Sequence, residues 1–313
     1  MNRYALSGFL IALSTSLAFS EEMPSMDYQL TEDAPHQRDI KWDAYFTTFG
    51  GYNWSIFEDG GYNENFEDFS YGARASGAYN FENGVSVQKD LVYNRDDWGI
   101  DADLGFFGNG GVSSTDMDAA THIYTQTDTY LFGAIGQIGK TNFDFGVLSQ
   151  ETNRFYLGGE AQGYFGAFTI YGQAGYEKTK TDGIGFFGSG GFSSDGIVAS
   201  LEGRYFFTDN WRFDVKGAYT FQKFDIADLE LDAWTFSAGT EYKFTDTPFS
   251  LTSDVSWSLQ DNEGLVSERM TALVGIKMNL GAETLKSRDR SGATLDPFEA
   301  QQPIEAFFGF GPI

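Results

Sequence analysis

The chain has 313 residues, of which 17% are aromatic, with 38 Gly, 6 Pro and no Cys. A formal net charge of −25 excludes a nucleic-acid binder, because no basic patch exists to neutralise phosphates. The absence of Cys excludes disulfides, thiolate metal sites, Cys nucleophiles and a lipid-anchored cysteine.

Residues 1–20 read as a secretory signal peptide. Arg3 supplies the positive region, Tyr4 to Leu17 is apolar and small, and Ala18-Phe19-Ser20 offers small residues before Glu21-Glu22. Beyond it no run approaches the ~18 apolar residues of a spanning helix. Residues 21–42 are polar and aperiodic, with two Pro, and read as a flexible periplasmic N-terminal segment with a solvated His36.

Strands follow. Asp43 to Trp54 is the first, and the acidic, Gly- and Asn-rich stretch after it reads as a loop. Its oxygen-rich part, Glu58 to Asp68, does not match the spacing of a calcium loop and reads as solvated surface. Phe69 to Phe81 alternates, with Tyr71, Ala73, Ala75, Gly77 and Tyr79 on one row and Arg74 on the other. A Glu82-Asn83-Gly84 turn leads into Val85 to Tyr93, where Lys89 falls on the apolar row with Val87 and Leu91. A bulge or a snorkelling side chain would each account for it.

Further pairs are Ala119–Gln126 with Thr129–Ile138, and Phe155–Phe165 with Ala167–Lys178 about Gly166. The stretch from Lys140 to Asn153 is polar but contains FDFGVL, a candidate part-strand. GFFGNGGVSS at 105–114 and GFFGSGGFSS at 185–194 fit either a duplicated hairpin or shared loop chemistry.

The clearest alternation runs through GIVASLEGRYFF, the turn Thr208-Asp209-Asn210, and WRFDVKGAYTF. One row ends in aromatics on both sides of the turn, and the other carries full charges. Such a pair faces lipid on one side and a wet lumen on the other. Glu230–Phe244, Pro248–Gln260 and Ser267–Leu280 complete about twelve strands, with 10 to 14 as the expected range.

Turns at one end are tiny, and at the other end loops at 55–68, 94–117, 139–153 and 179–194 are long. This asymmetry, with an even strand number, predicts an all-β transmembrane antiparallel up-and-down β-barrel over residues 43–280, both termini periplasmic. The tail, 281–313, is too broken for another strand and is expected as a periplasmic C-terminal tail. Gly275, Met278 and Leu280 in the last strand resemble the signal read by barrel-assembly machinery, although the match is internal and lacks a terminal Phe.

Several stretches carry a resemblance: Tyr171-Gly172-Gln173-Ala174-Gly175-Tyr176; Arg204 through Asn210; Glu241-Tyr242 with Pro248-Phe249-Ser250; and the tail Leu285 through Leu295. Over residues 69–296 the chain resembles a family of proteobacterial porin-like outer-membrane proteins. The resemblance implies a barrel fold and an address in the Gram-negative outer membrane. It brings no catalytic residues, and Lys89 departs from the apolar residue expected at its position.

The charged row is the candidate functional surface. Arg74, Asp90, Glu160, Glu202, Arg204, Arg212, Asp214, Lys216, Glu241, Lys243, Asp254, Arg269 and Lys277 are expected to line the lumen. They fit a narrow channel for small polar or ionic solutes, or mutual pairing that closes a structural or surface-interaction barrel. A third reading is a lipid-modifying enzyme built on His122, but position 124 is Tyr, so no His-x-Ser pair shares its strand face. The expectation is therefore a non-enzyme without cofactor or metal. Its partners would be outer-membrane lipid, the assembly machinery and small solutes.

Overall fold

The computed structural model describes residues 41–59, 62–102, 110–145, 148–183, 191–225, 230–262 and 265–299. The expected signal peptide, the N-terminal segment up to residue 40 and the last residues of the tail lie outside them.

Twelve antiparallel strands close into one barrel. They are β1 (Trp42–Asp59), β2 (Tyr62–Asn80), β3 (Val85–Ala102), β4 (Gly110–Gln126), β5 (Tyr130–Phe145) and β6 (Leu148–Phe165). β7 (Phe168–Gly183), β8 (Phe192–Thr208), β9 (Trp211–Phe224), β10 (Glu230–Lys243), β11 (Phe249–Asn262) and β12 (Leu265–Leu280) complete the wall. Each strand pairs with its chain neighbours, and β1 pairs with β12 from Ala44↔Leu280 to Glu58↔Val266. Closure leaves no open edge, which hydrocarbon would not tolerate.

The short turns need unusual backbone at few places. Gly84 and Gly166 take φ of 84° and 61°, the left-handed region that costs Gly nothing, and Asp246 does the same at 58°. At the opposite end the strands run on. The stretches expected as loops at 55–68 and 139–153 are largely strand, with β1 and β2 paired as far as Asp59↔Tyr62 and β5 and β6 as far as Phe145↔Leu148. Once a hairpin leaves the membrane both faces meet water, so the alternation that marks a strand in sequence fades although the ladder continues. The Phe143-Asp144-Phe145 part-strand is the end of β5.

Alternation sorts the side chains as a membrane barrel requires. Leu91, Ile123, Ile138, Leu157, Leu201, Val274 and Ile276 are exposed on the outer face. Aromatics flank that apolar band. Tyr79, Phe81, Tyr130, Phe132, Phe207, Tyr242 and Phe244 stand at the short-turn end, and Tyr52, Trp54, Phe69, Tyr71, Trp234 and Phe236 at the other. From Trp234 to Phe244 is about the 9–11 residues of a tilted transmembrane strand. Lys89 also faces outward. The β3 ladder runs without a shift through Gly77↔Lys89 and Lys89↔Thr121, so no bulge turns the side chain inward. It lies a few residues above the Asn83–Gly84 turn, within reach of the interface for a long aliphatic stem.

The tail departs from expectation. Instead of lying outside the barrel, residues 282–299 lie inside it. Gly281, with φ of 108°, turns the chain at the end of β12, and a seven-residue helix, α1 (Leu285–Ser291), follows. Thr284 caps the helix: its side chain accepts from Ser287 N, and the Ser287 hydroxyl accepts from Thr284 N. An extended segment then climbs the lumen. Ala293, Leu295 and Phe298 are 1%, 0% and 3% exposed.

Candidate functional site

The site is the lumen, and the tail divides it. One wall, from β2 to β8, is covered by the tail. The other, chiefly β9 to β12 with β1, faces a cavity of about 490 Å³.

The covered wall holds the tail by shape and by charge. Inward residues there are partly apolar. Leu295 packs among Tyr124, Leu131, Tyr164 and Tyr171, and Phe298 among Ala120, Ile135, Tyr156 and Val198. Burying a Leu or Phe side chain stabilises by about 1.5–3 kcal/mol. Glutamines read the tail backbone: Gln88 Oε1 accepts from Thr294 N and Leu295 N at 3.0 and 3.1 Å, and Gln137 Oε1 accepts from Phe298 N at 2.8 Å.

Two arginines of the wall clasp two aspartates of the tail. Arg204, 1% exposed, meets Asp289 at 3.0 Å, Asp296 at 2.9 Å and its strand neighbour Glu202 at 2.6 Å. Arg74 meets Asp296 at 2.6 Å and Asp90 at 3.0 Å. Burial raises the Asp296 carboxyl, but Arg74, Arg204 and Lys216 outweigh it and hold the group well below the usual carboxylate range. At the foot of the tail, Asp43 of β1 accepts from Ala282 N at 2.8 Å, Ala293 N at 2.9 Å and Arg288 Nε at 3.0 Å. A Cβ at Gly292 would collide with that carboxylate, so the close approach needs Gly.

Behind the clasp lies a buried cluster of ionisable side chains. His122, 0% exposed, has Nδ1 at 3.0 Å from Glu160 and Nε2 at 3.2 Å from Asp90. Tyr171 donates to Glu160 at 2.9 Å. Nδ1 is engaged by Glu160, whereas Nε2, although close to Asp90, makes no hydrogen bond among the described residues.

The open wall carries the rest of the charge. Lys277 reaches Glu241 at 2.6 Å, and Arg212 lies 3.0 Å from Asp214 and 3.7 Å from Glu241. Lys216 reaches Glu299 of the tail at 3.6 Å, and Lys243 donates to Glu283 O at 2.8 Å. Asp254 faces the cavity, and Arg269 stands higher with Asp68 and Asp96.

All the residues expected on the charged row therefore point inward, but they fall into two groups. Arg74, Asp90, Glu160, Glu202 and Arg204 lie against or behind the tail, with Arg74 and Glu202 also reaching the cavity. Arg212, Asp214, Lys216, Glu241, Asp254, Arg269 and Lys277 line the open side, and Lys243 sits at the tail's foot. Sequence reasoning missed Gln88, Gln137 and Arg154 on the wall, and Asp289 and Asp296 on the tail. Arg154, at 3.5 and 3.0 Å from Asp116 and Asp118, lies at the edge of a stretch read as loop. One signal for the tail was available: β5 is apolar on both rows, which a purely aqueous lumen does not explain.

No protein-family model and no curated protein sequence matches the chain. Its architecture is that of outer-membrane β-barrels. An outer membrane channel from Pseudomonas putida F1 superposes with a TM-score of 0.56 at 13% identity, over 83% of this chain and all of that one. The translocator domain of the autotransporter NalP from Neisseria meningitidis gives 0.52 at 10% identity, over 88% of this chain and 95% of that one. The β domain of the Bordetella autotransporter BrkA gives 0.50 at 10% identity, over 77% of this chain and all of that one.

Proposed function

We propose that the protein resides in the outer membrane of a Gram-negative bacterium as a narrow, non-enzymatic channel for small polar or ionic solutes, constricted by its own C-terminal segment. The observation that carries this reading is the polar cavity beside the tail, bounded by Arg212, Asp214, Lys216, Glu241 and Lys277 on one side and by Asp296 and Glu299 on the other. A barrel built only for support has no need of a charged, unfilled half-lumen, whereas a pore uses one to set selectivity. The outward apolar band and aromatic girdles support the membrane address, and the ordering of Gly275, Met278 and Leu280 in β12 supports recognition by the assembly machinery.

The second reading is a sealed barrel, favoured by the many polar contacts between tail and wall. Liposome swelling separates the two. Vesicles carrying folded full-length protein swell in small polar solutes and exclude bulkier ones if the channel reading holds. Absence of swelling with heat-modifiable, folded protein would establish the sealed barrel instead.

A further inference from the structure

Carboxylates outnumber cations in three charged clusters of the lumen. Arg269 faces Asp68 and Asp96 at 3.6 and 3.0 Å. Arg154 faces Asp116 and Asp118 at 3.5 and 3.0 Å. Arg204 is shared among Glu202, Asp289 and Asp296. On the open wall, Arg212 and Lys277 are matched by Asp214 and Glu241, and Lys216 by Glu299. Asp254 stands apart: among the described residues it has neither a hydrogen bond nor an ion pair.

The geometry around Asp254 makes a cradle. Gly239 of β10 is the register partner of Asp214 on one side and Asp254 on the other. A Cβ at Gly239 would lie 2.5 Å from Asp214 Oδ1 and 3.2 Å from Asp254 Oδ2, so both carboxylates lean over the same bare patch. Two residues further along β10, Glu241 is 2% exposed, and its Oε1 has no hydrogen-bond partner among the described residues. Asn53 Oδ1, also on the cavity, is equally without a donor. The lining around the cradle includes the hydroxyls of Ser237, Thr252 and Ser256. The wall here presents carboxylate and hydroxyl oxygens, with two more unpartnered oxygens buried behind them. Around Gly239 it offers a cation replacement for its hydration shell.

We propose that the open half of the lumen is a cation-selective passage, with Asp254, Asp214 and the free oxygen of Glu241 around Gly239 as its contact points for small cations. The proposal rests on the channel reading and adds the class of solute. Among the described residues no group of three or more His, Asp or Glu could hold a metal ion. The cradle therefore suits transit, where contacts must be weak enough to leave.

The test is reversal potential across planar bilayers under a KCl gradient, using refolded full-length protein. Asp254→Asn and Asp254→Lys are the variants, because Asp254 supports no partner whose loss would disturb folding. Asp97→Asn, on the outer face near the loop end, is the control. The expected result is a potassium-to-chloride permeability ratio severalfold above one, reduced at least twofold in Asp254→Asn, inverted in Asp254→Lys and unchanged in the control. Steps that are unselective or anion-selective, or a ratio indifferent to position 254, would overturn the cation passage and leave the channel standing. No steps from folded protein would overturn both.

Discussion

Arg204 joins wall and tail. It is fully enclosed, and three carboxylates depend on it. Removing one partner of a buried ion pair costs about 3–5 kcal/mol, because the others are left buried and unmatched. Arg204→Ala should therefore release the tail while leaving the barrel closed. The Cys-free chain allows a reporter outside the clasp: Ala293→Cys, at a position 1% exposed in the docked state, should resist a water-soluble thiol reagent and become reactive when combined with Arg204→Ala. Continued protection in the double variant would show that the clasp does not hold the tail. The clasp also has a pH dependence. Asp296 has a lower pKa docked than free, so its contribution is complete above the ordinary Asp value of about 3.9 and is lost only as pH falls through the lower, docked value. Cleavage of the tail by pepsin, which works in acid, should thus stay slow at about pH 4 and speed up only in stronger acid. Lys89 is a separate matter. Facing lipid near one interface, it should cost about 1 kcal/mol or less, and Lys89→Leu should raise the urea midpoint of unfolding by a correspondingly small amount. A fall in the midpoint would mean that the Lys is engaged by something other than the interface.

At the scale of elements, strands and tail were unequally legible. The twelve strands were readable because half-lipid, half-lumen burial writes a period of two into sequence. Their outer extensions were not, because a hairpin wet on both faces has no apolar row to display. The tail was misread for a related reason. Its sequence is polar and interrupted, and a segment that docks inside a polar lumen needs Asp, Arg, Thr and Gly more than a hydrophobic face. Its partners were nevertheless visible. Leu131 and Ile135 put apolar residues on the inward row of β5, and the excess makes sense only with Leu295 and Phe298 packed against it. Charge pairing across distant strands, such as His122 between Asp90 and Glu160, left no mark in local sequence. Leu295→Asp tests the packing independently of the clasp. It places a carboxylate in a site that is 0% exposed and should undock the tail as Arg204→Ala does, seen as rapid proteolysis within residues 284–299 of a barrel that still shifts on heating.

For the whole molecule, the barrel supplies the tube, and under the proposed channel reading the tail decides how much of it is open. An empty twelve-stranded lumen would be wider than a sealed eight-stranded one and narrower than a sixteen-stranded porin. With residues 282–299 inside, one side remains, about 490 Å³ of charged space. The most direct measurement is single-channel conductance of the refolded full-length protein beside the Arg204→Ala/Leu295→Asp variant in the same bilayers. The account predicts small, uniform steps from the wild type and steps several times larger from the variant. Equal steps from both would mean that the tail does not set the width of the passage, and silence from both folded proteins would contradict a channel altogether.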